Sequence, residues 1–159
     1  MSNFSKSEKE IFELRKQKIS FFNELSSNSF PTSFEGTVDI ENIITKHKDI
    51  NDGEHTGIDV SIKGRILQAR SFGKLSFFDL LANTGKIQLL IDKSNMSKKE
   101  LSFFENYDSG DIIGALGEIM KTKKGELSIK VKSSTILSKS LKTLPEKWHG
   151  LKDKETRFR

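Results

Sequence analysis

Cysteine is absent from this 159-residue chain, which also has only two prolines and three histidines. The lack of cysteine excludes disulfide bonds and thiolate metal ligands. His47, His55 and His149 are scattered without the spacing of a metal site. The chain also lacks the glycine-rich phosphate loops and nucleophile motifs of common enzymes. We therefore predict no metal, no cofactor and no catalysis by this chain alone.

Long apolar segments are also missing. No run approaches the roughly 18 apolar residues that a membrane span needs, and the first ten residues lack the apolar region of a secretory signal. Together with the absence of cysteine, these features lead us to expect a soluble, cytoplasmic protein without a membrane partner.

The charge balance is basic. Lysine and arginine number 27 against 22 acidic residues, which leaves a formal net charge of +5 and a pI of about 9.3. Such an excess suits an anionic partner such as a nucleic acid. A lysine-rich surface that only maintains solubility explains the charge equally well.

An amphipathic helix is predicted over residues 7–25, where apolar residues recur at helical spacing. Ser7 and Glu10 have the arrangement of a capping box at its start. Arg15 and Lys18 decorate its polar side and are candidates for contacts with an RNA backbone. A helix that docks on the domain and exposes a solvated basic face is an equally good interpretation.

From Gly57 onward the apolar period changes from about four residues to two, which is typical of strands. Gly64 interrupts the first strand and predicts a bulge or coil there. Ser97 and Glu100 have the form of a second capping box. The predicted strands are Gly57 to Gln68, Leu75 to Leu81, Lys86 to Ile91, Asp111 to Met120 and Leu127 to Val131, with helices at Ile40 to His47 and Ser97 to Asn106.

Three strands, a helix and two further strands form the order of a five-stranded OB-fold β-barrel. We therefore predict a mainly β protein with an N-terminal helical extension over 1–54, the OB-fold over 55–140 and a connector over 141–159. Such folds bind oligonucleotides on strands 2 and 3 and on the loops L12 and L45. Here L12 is Ser71 to Lys74 and L45 is Lys121 to Lys124. The two loops supply four candidates for RNA-backbone contacts, namely Lys74, Lys121, Lys123 and Lys124.

Alternation along the strands predicts which side chains face outward. Phe78 shares parity with Leu80 and is expected in the core, whereas its neighbour Phe77 shares parity with Asp79 and should lie outside. An exposed phenylalanine beside a basic loop is a plausible platform for stacking a base, although packing under the first helix is an equal alternative. Gln88 and Glu126 have the outward parity as well.

A phenylalanine, an amide and a carboxylate on one surface would select a uridine. A carboxylate accepts the N3–H of uracil but repels the N3 lone pair of cytosine, and an amide can both donate and accept at the uracil carbonyls. Discrimination arises because the wrong base leaves polar groups unpaired. Taken singly, Gln88 and Glu126 are more often ordinary solvated residues.

Several motifs together resemble the anticodon-binding domain of the lysyl-tRNA synthetase family, from about residue 57 to residue 159. The most specific stretch, Leu137 to Leu151, is similar to the family's connector into a class II catalytic domain. Arg157 to Arg159 is similar to the entry to motif 1 of that domain. The other matching stretches are Gly64 to Ile66, Arg70, Gly73 to Lys74, Ser76 to Phe77, Ile87 to Leu89, Gly110 to Gly114 and Lys121 to Ile129.

The resemblance implies roles for four residues. Phe77 corresponds to the family's stacking phenylalanine, and Arg70 to an arginine of its first strand. Gln88 and Glu126 correspond to the family's base-reading glutamine and glutamate. In the family these residues hold the middle uridine of the lysine anticodon, which implies a tRNA partner recognised through its anticodon loop.

The resemblance also implies a larger protein that attaches lysine to tRNA, with ATP and magnesium held in a catalytic domain that this chain lacks. The chain looks like an excised domain, expected as a monomer, of a homodimeric parent. Three other classes stay open: a non-specific OB protein for single-stranded DNA, the same domain of an aspartyl- or asparaginyl-tRNA synthetase, and a protein-interaction module. The first would be indifferent to the stacked base, the second would have a different connector, and the third would not need Phe77 exposed.

Overall fold

A computed structural model describes residues 7–27 and 29–143. Its five strands and three α-helices follow the predicted order, so the mainly β OB-fold with a preceding helix is confirmed. Of the predicted connector over 141–159, the part from residue 144 onward, with the predicted motif Arg157 to Arg159, lies outside the described residues. The elements are α1 Glu8–Leu25, α2 Ile40–His47, β1 His55–Phe72, β2 Leu75–Ala82, β3 Gly85–Asp92, a 3₁₀ turn Lys93–Asn95, α3 Lys98–Asn106, β4 Ile112–Lys121 and β5 Leu127–Ser138.

The strands close into a ring in the order β1, β2, β3, β5, β4. The long β1 makes closure possible because its first part pairs with β4 and its second part with β2. The ring is completed by a short parallel pairing in which Gln88 to Leu90 of β3 lie beside Ser128 to Lys130 of β5. This pairing brings the start of β5 next to the middle of β3.

The core lies inside the ring and extends under the helices. Alternate strand residues such as Ile66, Leu80 and Ile129 are fully buried, and each such side chain contributes about 1.5–3 kcal/mol by leaving water. Phe22 of α1 is also fully buried, and its ring stacks on Tyr107 at a centroid distance of 5.4 Å. The predicted amphipathic helix is therefore docked on the strand domain.

The capping predictions had different outcomes. At α1, Ser7 Oγ accepts from the Glu10 amide and the Glu10 carboxylate accepts from the Ser7 amide, which confirms the capping box. At α3, Ser97 Oγ accepts from the Glu100 amide at 3.2 Å, but the Glu100 carboxylate accepts from the Ser134 amide of β5. The reciprocal half of that predicted box is wrong because a tertiary partner takes the carboxylate, whose burial raises its pKa.

The predicted bulge at Gly64 is also misplaced. Gly64 stays in register opposite Ile113, and the shift in the pairing of β1 with β2 lies at Leu67, between Ile66 and Gln68. Gly64 is instead required by close approach, because a Cβ there would lie 2.6 Å from the carbonyl oxygen of Leu81. In the described ranges, no helix is long and apolar enough to span a bilayer.

Candidate nucleic-acid interface

The bulge at Leu67 decides which side chains β1 presents beside β2. Ile66 faces Leu80 in the core, whereas after the extra residue Gln68 faces Asp79 and Arg70 faces Phe77. Successive strand residues point to opposite faces, so one inserted residue reverses the parity of all that follow. Arg70 therefore lies on the outside of the ring. We call the outward surface formed here by β1, β2, β3 and the start of β5 the outer face.

Phe77 lies on the outer face as its parity predicted. It is half-buried, whereas its neighbour Phe78 is only 4% exposed and packs in the core. Its ring meets that of Phe72 edge to face, with centroids 6.0 Å apart. Phe77 is thus held next to loop L12 and keeps part of its ring open to a ligand.

A directional chain of hydrogen bonds crosses the outer face from β1 to β5. Arg70 donates to Gln88 Oε1 at 3.2 Å, and Gln88 Nε2 donates to Ser128 Oγ at 2.9 Å. Ser128 Oγ then donates to the Glu126 carbonyl oxygen at 3.1 Å. Arg70 also donates to Asp79 at 3.2 Å, which holds the guanidinium over β2. The chain connects three predicted site residues, Arg70, Gln88 and Glu126.

The arginine sets the orientation of the Gln88 amide. A guanidinium can only donate, so the amide atom that faces it must be the oxygen and the nitrogen must face Ser128. Each end of the amide has capacity beyond these bonds, because Oε1 has a second lone pair and Nε2 a second hydrogen. Gln88 can therefore accept from and donate to a base edge while it stays held in place.

Glu126 lies at the exit of loop L45, where the backbone holds it. Its amide donates to Thr122 Oγ1 at 3.0 Å, and its carbonyl accepts from the Thr122 amide at 2.9 Å. The side chain is exposed, and within the described part of the chain its carboxylate has no hydrogen-bond or ion-pair partner. A free acceptor thus lies at one end of the hydrogen-bond chain.

The four loop lysines differ in how free they are. Lys74 in L12 and Lys123 and Lys124 in L45 are exposed. Lys121, in contrast, donates to the carbonyl oxygens of Lys48 and Ile50 at 3.3 and 3.2 Å, where the chain leaves α2. Three of the lysines can meet phosphate directly, and the fourth has a structural role in this conformation.

Arg15 and Lys18 do not lie at the outer face. They belong to a group with Asp108, Asp111 and Lys139 that we call the ionic cluster, at the far end of β5. Arg15 donates to the carbonyl oxygens of Ser109, Ser140 and Lys142, and Lys18 bonds both oxygens of Asp108. These bonds favour the interpretation of a docked helix, and the prediction that the two residues contact RNA stays untested.

Sequence reasoning placed Asp79 outside by its parity with Phe77 but missed two side chains of the outer face, namely Phe72 and Ser128. Ser128 shares parity with Glu126, so alternation could have found it. Phe72 could not be placed in this way, because its direction depends on the bulge. Near L12, hydrogen bonds from Ser94 lower the pKa of Asp92. No group of three or more potential metal ligands occurs in the described ranges.

Comparison with known proteins agrees with this fold. Residues 60–137 match the family model described as an OB-fold nucleic acid binding domain. The chain is 49% identical over 131 residues to lysine–tRNA ligase 2 of Methanosarcina acetivorans, covering 82% of the chain and 25% of the relative. It is 42% identical to lysine–tRNA ligase of Trichormus variabilis (96% and 29% covered) and 39% identical to that of Clostridium perfringens (99% and 31%). The chain thus spans between 25% and 31% of the length of these curated relatives.

Proposed function

The chain belongs to the lysyl-tRNA synthetase family as an OB-fold anticodon-binding domain, and on this premise we propose that it binds the anticodon loop of a lysine tRNA. The observation that carries the proposal is the hydrogen-bond chain from Arg70 through Gln88 to the backbone of Glu126, beside the half-open ring of Phe77. It combines a stacking surface with oriented donors and acceptors.

In the proposed complex, the middle base of the anticodon leaves its stack and lies on Phe77. The Glu126 carboxylate accepts the N3–H of uracil, and the Gln88 amide and the Arg70 guanidinium bond its carbonyl oxygens. Cytosine presents a lone pair at N3, which would face the carboxylate oxygen and leave it unpaired. An unpaired buried polar group costs about 1–3 kcal/mol, which corresponds to roughly 5- to 150-fold weaker binding of the cytidine loop.

Backbone contacts supply affinity that does not depend on sequence. Lys74 lies on one side of the outer face, and Lys123 and Lys124 lie on the other, so a strand that crosses β2 and β3 meets cations at both ends. Lysines that neutralise phosphates release counterions. The logarithm of the binding constant should therefore fall linearly with the logarithm of the salt concentration.

The proposal extends to the larger protein that the relatives represent. That protein would attach lysine to its tRNA with ATP and Mg²⁺ bound in a catalytic domain outside these 159 residues, and it would be a homodimer in the cytoplasm. The chain itself would be a monomer that binds the anticodon loop without catalysis.

The test is a fluorescence titration of the chain with a lysine anticodon stem-loop and with a loop whose middle uridine is cytidine. We expect the uridine loop to bind more tightly, and Glu126→Gln to reduce that preference. Phe77→Ala should weaken binding of both loops. Lys132→Gln is the matched control, because Lys132 pairs with Asp59 on an exposed surface. Equal affinity of the unaltered chain for both loops would disprove the base-reading role of Gln88 and Glu126.

A further inference from the structure

Phe72 is unusually exposed for an aromatic side chain. It is 64% exposed, the largest fraction among the large hydrophobic side chains of the described residues. A single exposed apolar residue is common, but a phenylalanine that leaves most of its ring in water loses the stabilisation that burial would supply. Phe72 therefore contributes little to the core. Its ring lies beside Phe77 of the proposed site, where it can contact a ligand.

A tight turn fixes the place of Phe72. Phe72 pairs with Leu75, so only Gly73 and Lys74 form the connection between β1 and β2. Gly73 has φ +60°, whereas Lys74 is not in the left-handed region, which is the pattern of a two-residue turn with glycine first. The bulge at Leu67 directs Phe72 to the outer face, with the same parity as Arg70.

The angle between the two rings limits how bases can use them. The planes of Phe72 and Phe77 are inclined by 60°, with centroids 6.0 Å apart. A flat base that lies on Phe77 cannot lie on Phe72 at the same time, because stacking needs nearly parallel planes. Two rings at this angle can hold two bases that are unstacked from each other, one on each ring.

The groups around Phe72 suit a nucleotide but do not select its base. The hydroxyls of Ser71 and Ser76 bond each other at 2.9 Å, and by alternation they lie on the face opposite Phe72, where they do not read its base. Lys74 is exposed in the same turn and can meet a phosphate. Stacking is tolerant of sequence because every base has a π-face.

We propose that Phe72 is a second stacking platform, which takes the nucleobase adjacent to the one on Phe77 in a single-stranded RNA loop. The proposal rests on the proposed function, since the base on Phe77 defines the neighbour. Phe72 adds affinity for any base at that neighbouring position and leaves the preference for uridine on Phe77 unchanged.

The test uses the chain with stem-loops that carry 2-aminopurine at one or the other position flanking the middle base, since stacking on an aromatic ring quenches its fluorescence. We expect protein-dependent quenching at one flanking position. Phe72→Ala should abolish it and weaken binding by about 5- to 150-fold. The loss should be the same for loops with uridine or cytidine in the middle, and Phe72→Tyr should retain both properties.

Two results would overturn the proposal. In one, Phe72→Ala leaves both quenching and affinity unchanged. In the other, it weakens binding of both loops but leaves the quenching at the flanking position unchanged, as expected if Phe72 merely supports Phe77. Failure of the proposed function has a separate signature: the unaltered chain then binds uridine and cytidine loops equally, while Phe72-dependent quenching at the flanking position still supports a second platform. Melting temperatures of the variants verify folding.

Discussion

The outer face and the ionic cluster lie near opposite ends of β5, and each is built around a cation paired with an aspartate. At the outer face, Arg70 is 39% exposed and its partner Asp79 17% exposed. In the ionic cluster, Lys139 is 1% exposed and Asp111 is fully buried, with Nζ and Oδ2 2.7 Å apart. The same kind of ion pair is partly exposed at the outer face and buried in the ionic cluster.

The two sites differ in how much hydrogen-bonding capacity their polar groups have left. Asp111 accepts from Lys139 and from the amides of Asp108 and Ser140, so its two oxygens have protein partners. On the outer face, the Gln88 amide has spare capacity and the Glu126 carboxylate is free among the described residues. A satisfied polar group stabilises a fold, whereas an oriented group with capacity left can bind a ligand.

The largest effect should come from breaking the buried ion pair of Lys139 and Asp111. Lys139→Met leaves Asp111 buried without its cation, which should lower the free energy of unfolding by about 3–5 kcal/mol. Urea denaturation measures this change. Lys132→Met is the control, because its partner Asp59 is 44% exposed and the expected loss is below about 1 kcal/mol. Similar losses in both variants would contradict the contrast between buried and exposed pairs.

A smaller effect, on binding instead of stability, is expected at the partly exposed pair of Arg70 and Asp79. Arg70→Met removes the donor that orients Gln88, so binding of the uridine loop should weaken roughly 10- to 150-fold, the equivalent of one charged hydrogen bond. Both variants, Arg70→Met and a control Arg15→Met, should be measured by fluorescence titration and thermal melting. The Arg15 guanidinium donates to three carbonyl oxygens. Arg15→Met should lose stability and keep its affinity. The reverse outcome would place the binding site at the ionic cluster.

Acid should weaken the ionic cluster. Burial acts to raise the pKa of Asp108, but hydrogen bonds from Lys139 and Lys18 outweigh it and the pKa lies below its usual value. A carboxyl with a lowered folded-state pKa stabilises the fold above its unfolded pKa of about 3.9, and this contribution is lost as pH falls through the folded value. Melting temperature should therefore fall below about pH 4.

Asp108→Asn provides the comparison for that titration. The variant should melt at a lower temperature at pH 7 and show a shallower decline in acid, because it lacks the carboxylate that is protonated. Asp59→Asn removes an exposed partner and should follow the unaltered chain. A decline of equal steepness in all three proteins would show that other carboxylates dominate the acid sensitivity.

The smallest effect concerns the loop lysines. The double change Lys123→Gln with Lys124→Gln should reduce the slope of log affinity against log salt by about 0.7 for each phosphate that is no longer neutralised. Lys121→Gln is the matched variant in the same loop, and because its Nζ bonds two carbonyl oxygens it should affect stability more than the salt slope. Identical salt slopes in all variants would exclude L45 from binding the RNA backbone.

Local patterns in the sequence were sufficient for much of the outer face. The pair Phe77 and Phe78 divides between outside and core as alternation requires, and Gln88 follows the same rule because β2 and β3 pair without irregularity. The direction of Phe72 could not be predicted, because the bulge at Leu67 exists only in the pairing of β1 with β2. The same holds for Lys121, whose carbonyl partners lie more than seventy positions away.

The sequence by itself determined the order of helices and strands, the capping of α1 and the parity of Phe77, because these depend on residues within a few positions of each other. Tertiary structure decided the closure of the ring, the turn of Arg70 and Phe72 to the outer face, and the diversion of Arg15 and Lys18 into the ionic cluster. Those outcomes require partners from distant parts of the chain, such as Asp108 for Lys18. Local periodicity carries no information about which distant groups will satisfy a buried charge.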